Sequence, residues 1–343
     1  MTRELRLGTR GSPLALWQAN TVKARLAERG GAPCRIVVIK TSGDRLQQAP
    51  ISDIGGKRLF VKEIEDALLR DEIDLAVHSS KDMPAILPEG LTIAGVLPRE
   101  DPHDAVVLPS AISHQPSAIS SVEDLIATLG QAPSIGTGSV RRIAQLTRIL
   151  PGGRFTPIRG NLDTRLRKLD EGERGSLGNI DAMVLAAAGL KRLGFGHRIS
   201  FLLPAAACVP APGQGIVAIE TRVDDDDVRR AVSAIDEPLA AAALIAERSL
   251  VEALGGGCQT PIGALATPEG DALELLATVI ATDGSHAIRE HGRAPMAAAR
   301  ELGADIARRL LARGAREILE EAARLNSHRS PVAGLQSAKM TDD

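Results

Sequence analysis

The chain has 343 residues, of which 44% are hydrophobic and 24% charged, with a formal net charge of −2. That length allows two or three cores of ordinary size, since single cores stop growing near ~250–300 residues, and the composition is that of a globular protein. The balanced charge and an aromatic content of 1% exclude a global basic field for nucleic acid and the stacking platforms of single-strand binders.

The opening residues Met1–Ser12 contain no apolar signal core, and no apolar run approaches the ~20 residues that span a bilayer. A cytoplasmic protein without membrane contact is expected. The three cysteines, Cys34, Cys208 and Cys258, are odd in number and widely spaced. They suit a reducing compartment and form neither a disulfide framework nor a CxxC metal site. The seven histidines have no metal-ligand spacing, so no metal is expected.

In chain order, residues 4–8 read as a strand. Ser12-Pro13 then start a helix with the apolar stripe Ala15, Ala19, Val22 and Leu26, which Gly30-Gly31 end. Arg35–Lys40 is a β-branched strand, and 60–71 a helix with Val61, Ile64 and Leu68 on one face. Strands follow at Ile73–Val77, Thr92–Leu97 and Ala105–Leu108. Ser120 and Glu123 suggest a capping box for a helix at 122–129. Next come a strand at 134–136, a helix at 140–150, a strand at 154–158, a helix near 162–171 and a strand at Asp181–Ala186.

After the Pro- and Gly-rich linker 204–215, the strand Ile216–Glu220 is placed to return to the first sheet and build a two-lobed cleft. From Pro238 an Ala-rich helix runs to the glycines at 255–257. Strands near 262–267, 273–281 and 286–291 follow, then helices at 295–313 and 315–325, the pattern of a small α+β domain. Residues after about 326 are polar and read as disordered.

Three constellations carry chemistry. Arginines cluster at strand carboxyl ends, where α/β sheets bind ligands and helix N-termini present free N–H groups. They are Arg10, Arg141 and Arg142 beside Thr137-Gly138-Ser139, and Arg159, with Arg165 further along the following helix. Arginine forks match carboxylate or phosphate geometry. GTGSVR resembles the start of a dinucleotide fingerprint. However, Arg141 replaces its third glycine, and Arg159 sits where the ribose-binding acid belongs. An acidic ligand is favoured over a nucleotide, although any one of these arginines alone reads better as a solvated helix face.

The second constellation is Lys81-Asp82 in His78–Asp82, directly after an apolar strand. It could bind an anion, move a proton or stabilise a cation. On spacing alone the ordinary reading, a polar loop with a surface Lys–Asp pair, takes precedence. The third is Cys258 behind Gly255–Gly257, where the backbone can approach a bulky group closely. A lone cysteine is more often a small core residue than a reactive thiol.

Taken together, the runs GTRGSPLALWQA (8–19), GGKRLFVKEIE (55–65), DLAVHSSKDMP (74–84), REDPHDA (99–105), RGNLDTRLRKL (159–169), LAAAGLKRLG (185–194), PGQG (212–215) and GGGCQTPIG (255–263) resemble porphobilinogen deaminases. The resemblance extends from Leu5 to about Arg324.

It implies two periplasmic-binding-protein-like α/β lobes around a cleft and a small C-terminal α+β domain. The expected boundaries are 1–103 plus 216–235 for the first lobe, 104–212 for the second, 237–326 for the C-terminal domain, and a tail at 327–343. It also implies a dipyrromethane cofactor joined by a thioether to Cys258. Four porphobilinogens would be added head to tail with loss of ammonia, and water would release hydroxymethylbilane for tetrapyrrole synthesis. The partner is thus a small molecule, and the chain is expected to be monomeric.

Each pyrrole carries an acetate and a propionate, so the family's cleft needs many cations. The resemblance assigns Lys81, Thr137, Ser139, Arg141 and Arg142 to the cofactor. It assigns Arg10, Ser12, Lys57, Phe60, Arg159, Arg165, Arg192 and Gln214 to the growing chain. Asp82 is the expected catalytic carboxylate, stabilising positive pyrrole nitrogens and assisting proton transfer.

The sequence departs from the family pattern at Gly138, where serine is common, and at Arg58, where glycine is common. Gly255 replaces a frequent acidic residue, and the segment 173–180 is longer than usual. Two other classes remain open on the residues alone: a non-catalytic two-lobed protein for a small anion, and an unrelated transferase with a cysteine nucleophile.

Overall fold

The computed structural model describes residues 3–42, 61–110, 119–172, 179–256 and 260–328, without the side chains of 326–328. The first lobe begins with β1 (Leu5–Thr9), α1 (Pro13–Glu28) and β2 (Cys34–Val38), followed by α2 (Lys62–Leu69), β3 (Leu75–Ser79) and β4 (Leu91–Val96). Helix α1 starts where its chemistry demands. Ser12 is extended, its hydroxyl accepts the Ala15 N–H, and Pro13 occupies the first turn. The expected stripe Ala15, Ala19, Val22 and Leu26 is buried.

The second lobe contains β5 (Asp104–Val107), α3 (Val122–Leu129), β6 (Ser134–Gly136), α4 (Val140–Ile149) and β7 (Arg154–Thr156). It continues with α5 (Leu162–Glu171), β8 (Ala182–Ala186), α6 (Ala187–Arg192) and β9 (Phe201–Leu203). After it, β10 (Val217–Arg222) and α7 (Asp226–Ser233) complete the first lobe. The C-terminal part is α8 (Pro238–Ala253), the meander β11 (Ile262–Glu269), β12 (Ala272–Ile280) and β13 (Ala287–Pro295), then α9 (Ala299–Ala312) and α10 (Ala315–His328).

The two five-stranded sheets share one plan: β2-β1-β3-β10-β4 and β7-β6-β8-β5-β9. In each, the first three strands are parallel and the fourth is antiparallel to both neighbours. That fourth strand is the one adjoining a lobe crossing. Strand β5 follows the first crossing, and β10 follows the return through 204–216. The return of this late strand to the first sheet agrees with the sequence reading, as does the α/β-plus-α+β fold class.

The likeness of the lobes reaches single residues. Gly8 ends a tight approach in β1, where a Cβ would meet Ile73 Cδ1 at 2.3 Å. Gly136 in β6 faces Ile158 Cδ1 at the same 2.3 Å. Each glycine is followed by a threonine and then by a helix whose N-cap is a serine, Ser12 or Ser139. GTRGS and GTGS are therefore similar strand-to-helix turns, the first longer by one residue.

Several local expectations need correction. The capping box of α3 is formed by Ser121 and Asp124, not by Ser120 and Glu123. The Ser120 hydroxyl donates to the same Asp124 carboxylate. The strand expected at 154–158 stops at Thr156, because 157 is a proline that cannot donate to the ladder. The last strand runs on to Pro295, and the helix expected from 295 begins at Ala299 after a short 3₁₀ turn. Helices α6 and α7 and strand β9 were not expected. The C-terminal sheet packs one face against α8, α9 and α10 through Leu250, Leu275, Ile306 and Leu310. Among the described residues no helix is long and apolar enough to cross a membrane.

Candidate functional site

The cleft is organised by a carboxylate that the sequence reading passed over. Asp104, the first residue of β5, is fully buried. Its Oδ2 accepts from Arg141 Nη1 at 2.7 Å, and its Oδ1 accepts from Arg142 Nε at 2.9 Å and Gln214 Nε2 at 2.9 Å. Burial alone would raise its pKa, but the two guanidinium groups overcome this and hold it well below the carboxylate range. Arg141 also donates to Val209 O at 2.6 Å, and Arg142 to Val184 O at 3.1 Å. Gln214 donates to Pro102 O at 2.7 Å and accepts from Lys81 Nζ at 3.4 Å. Both crossings between the lobes, at 102–104 and 208–214, are thus tied to the arginines of α4.

A second buried carboxylate joins the C-terminal part to the same crossings. Glu247 of α8 accepts from Arg99 Nη1 at 2.6 Å, from Gly213 N at 2.6 Å and from Ala266 N at 2.7 Å. Arg99 reaches Gln214 O at 2.9 Å as well.

Around this frame lie two adjoining cavities. The larger, of about 570 Å³, extends from Thr137, Ser139 and the arginines of α4 to Arg248, Val251 and Thr260 of the C-terminal part. The smaller, of about 360 Å³, opens past Arg10, Ser12, Asn161 and Arg192. Lys81, Asp82, Arg142, Arg159 and Arg165 line both. Lys81 and Asp82 belong to a 3₁₀ turn that continues β3, which puts them in the cleft rather than in a surface pair. Burial pushes the Lys81 ammonium down to about 8, with Asp82 opposing and Arg142 reinforcing that shift. Burial also lowers Arg165, aided by Arg142, while Asp82 opposes. So many cations in one desolvated space favour a multiply charged anion.

The sequence-derived residues fall into this picture unevenly. Thr137 and Ser139 lie at the start of α4. The Thr137 Oγ1 accepts the Ser139 N–H at 3.4 Å, and the Ser139 hydroxyl accepts the Arg142 N–H at 3.4 Å. Among the described residues neither hydroxyl has an acceptor for its proton. Arg165 turns its Nε to Gly160 O at 2.8 Å. Gln214 is almost wholly buried as a brace and also borders the larger cavity. Lys57, Phe60 and Cys258 lie outside the described residues, as do Arg58 and residues 173–178. Asp104, Arg99, Glu247, Arg248 and Thr260 were missed. Asp104 and Arg99 both lie within the run REDPHDA, whose position at a strand start was the available signal.

Fold and cleft together define a two-lobed α/β protein with a cation-lined cleft closed at one end by a C-terminal α+β domain. Residues 5–230 match the family model described as "Porphobilinogen deaminase, dipyromethane cofactor binding domain", and residues 241–312 match "Porphobilinogen deaminase, C-terminal domain". The chain belongs to the porphobilinogen deaminase family. It is 44% identical over 320 residues to a porphobilinogen deaminase of Geobacter metallireducens, covering 93% of this chain and 95% of that protein. A relative of the same name from Moorella thermoacetica is 46% identical over 323 residues, covering 93% and 96%. Among solved structures, an ancestral cationic amino acid solute binding protein matches 67% of this chain and 86% of its own, at 16% identity and a TM-score of 0.39.

Proposed function

We propose that this cleft carries a dipyrromethane, joined through a thioether to Cys258, and extends it by four porphobilinogen units to give hydroxymethylbilane. The observation that carries the reading is the shared wall between the two cavities. One cavity reaches Thr260, two residues from Cys258, and the other opens past Arg10 and Arg192. The first end would hold the tethered primer, and Lys81, Asp82, Arg142, Arg159 and Arg165 of the shared wall would face both it and an incoming ring.

The residues present fit such a group. Its carboxylates find Lys81, the hydroxyls of Thr137 and Ser139, and the donors left on Arg141 and Arg142. Arg10, Ser12, Arg159, Arg165 and Arg192 take the carboxylates of the growing chain, with Lys57 and Phe60 as further contacts and Gln214 as the brace behind Lys81. When bound, the cofactor supplies a nucleophilic pyrrole carbon. At each addition the C–N bond of the substrate aminomethyl group breaks and ammonia leaves. A C–C bond forms from the nucleophilic pyrrole carbon, which gives up its proton, and after the fourth addition water would cleave the bond to the primer and supply the hydroxyl of hydroxymethylbilane.

Asp82 faces both cavities. It stabilises the positive charge that develops on the substrate pyrrole nitrogen and holds the proton that is released. A preorganised carboxylate in a water-poor cleft is worth several kcal/mol more there than in bulk solvent.

On this reading the division is 1–103 plus 216–235, 104–212 and 237–326. On the same reading the chain works as a monomer in the cytoplasm. Intact-mass measurement tests the assignment. The purified protein should exceed its sequence mass by one dipyrromethane and gain single-pyrrole steps with porphobilinogen, and Cys258→Ala should lose both. An active protein at bare sequence mass would refute the cofactor assignment, and an adduct surviving in Cys258→Ala would refute the residue.

A further inference from the structure

Arg192 ends α6 in the second lobe and lines the smaller cavity; unlike Arg141 and Arg142, it is paired with an aromatic ring instead of a buried carboxylate. Among the described residues no carboxylate lies within salt-bridge distance of it. Its Nη2 donates to Gly215 O at 2.7 Å, and its guanidinium carbon stands 5.5 Å from the ring centroid of Trp17. Burial lowers its pKa, with only Glu100 opposing from further away. Trp17 belongs to α1 in the first lobe and does not line the cavity. Beside it, Leu14 of the same helix packs on Gly189 of α6, so the ring and the arginine meet where the two lobes touch.

The partner's chemistry decides what the arginine can do. A carboxylate would fix the guanidinium and also neutralise it. The face of an indole attracts the cation through its quadrupole while leaving the N–H edge unused. Arg192 is therefore held in place and still charged, with donors left for an incoming carboxylate.

We propose that Trp17 is a positioning residue for substrate capture: its ring presents Arg192, charged and uncompensated, to the carboxylates of the ring entering the smaller cavity. This rests on the function proposed above. Trp17 acts through Arg192 and touches neither cofactor nor substrate.

The test uses the holoenzyme. Trp17→Leu should raise the apparent KM for porphobilinogen about two- to thirty-fold, the range of one cation–π contact. Cofactor mass and kcat should stay near wild type, and Trp17→Phe should restore most of the KM. In an Arg192→Leu background, Trp17→Leu should add nothing further. Because Trp17 is the only tryptophan of the chain, wild-type emission should also change when porphobilinogen is added, and Arg192→Leu should abolish that change.

An unchanged KM in Trp17→Leu overturns the proposal, as does an effect that persists without Arg192. Should Trp17→Leu fail to fold, silent wild-type emission while the pyrrole ladder forms would overturn it. A wild-type protein that forms no ladder at all would instead count against the proposed function.

Discussion

Asp104 and Arg142 meet with no solvent between them, the carboxylate Oδ1 accepting from Nε at 2.9 Å and lying 2.8 Å from Nη2. Arg141 takes the other oxygen, so one acid at the start of β5 compensates two cations at the start of α4. Breaking such a buried arrangement from the acid side leaves both guanidinium groups uncompensated.

Asp104→Asn should therefore destabilise the protein by about 3–5 kcal/mol, measured as a lower denaturant midpoint at unchanged slope. The acid's pKa is depressed in the fold, so its contribution is fully present above the ordinary carboxylate range and is lost as pH falls below it. The gap between variant and wild type should narrow only in strong acid. A loss under 1 kcal/mol at neutral pH would mean that the three groups are not coupled as described.

Lys81 gives a pH signature of the cleft itself. Burial brings its pKa down to about 8 in the empty protein, so the ammonium is charged below that pH and neutral above it. Carboxylates that bind beside it favour the charged form. Cofactor loading of the apoprotein should weaken as pH rises through about 8, by up to tenfold per pH unit. Loading yields read by intact mass across pH 7–9.5 would show this decline, and Lys81→Gln should flatten it. An equally steep decline in Lys81→Gln would assign the effect to another group.

Asp82 is the residue whose loss should most harm chemistry while leaving the fold intact. Asparagine keeps its size but lacks the charge that faces a cationic pyrrole. Asp82→Asn should carry the normal adduct and turn over at least about a hundredfold more slowly, as when one electrostatic stabiliser is removed. Ammonia release followed in single turnovers checks this, and near-normal rates would return Lys81-Asp82 to the status of an ordinary polar turn.

The arginines should separate by location. Arg141 braces Asp104 and Val209 inside the larger cavity, whereas Arg10 lines only the smaller one. Arg141→Leu is expected to impair loading, while Arg10→Leu loads normally and stalls at an early rung, each at a cost of roughly ten- to a hundredfold. Mass spectra of both variants after exposure to porphobilinogen distinguish them. Identical ladders would remove the division between cofactor and chain binding.

Much of this was legible before any coordinates. Periodicity and capping residues located the α1 stripe, the parallel strands and the change of texture after Pro238, because those signals are local. The misses were of a different kind. Asp104 lies in REDPHDA among other charges and reads as solvated, since only the tertiary arrangement brings Arg141, Arg142 and Gln214 around it. The same holds for Glu247, which sits in a helix whose neighbours reveal nothing of Gly213 or Ala266. The capping box slipped by one residue because Ser120-Ser121 and Glu123-Asp124 offer two registers, and only the backbone selects Ser121 with Asp124. The short helix α6 directly abuts β8, leaving no turn residues to announce it.

The sheet order also bears on how the chain reaches this state as it is made. Strand β10 lies between β3 and β4, yet it begins at Val217, long after β4 has ended at Val96. Until residue 222 leaves the ribosome, the N-terminal sheet lacks its inner strand, and β4 has no neighbour to hold. The second sheet uses only Asp104–Leu203 and can close from one continuous stretch. Synthesis begins with the first lobe, but the second is the one able to fold first. The N-terminal segment meanwhile waits with an exposed strand edge, the condition under which nascent chains depend on chaperones.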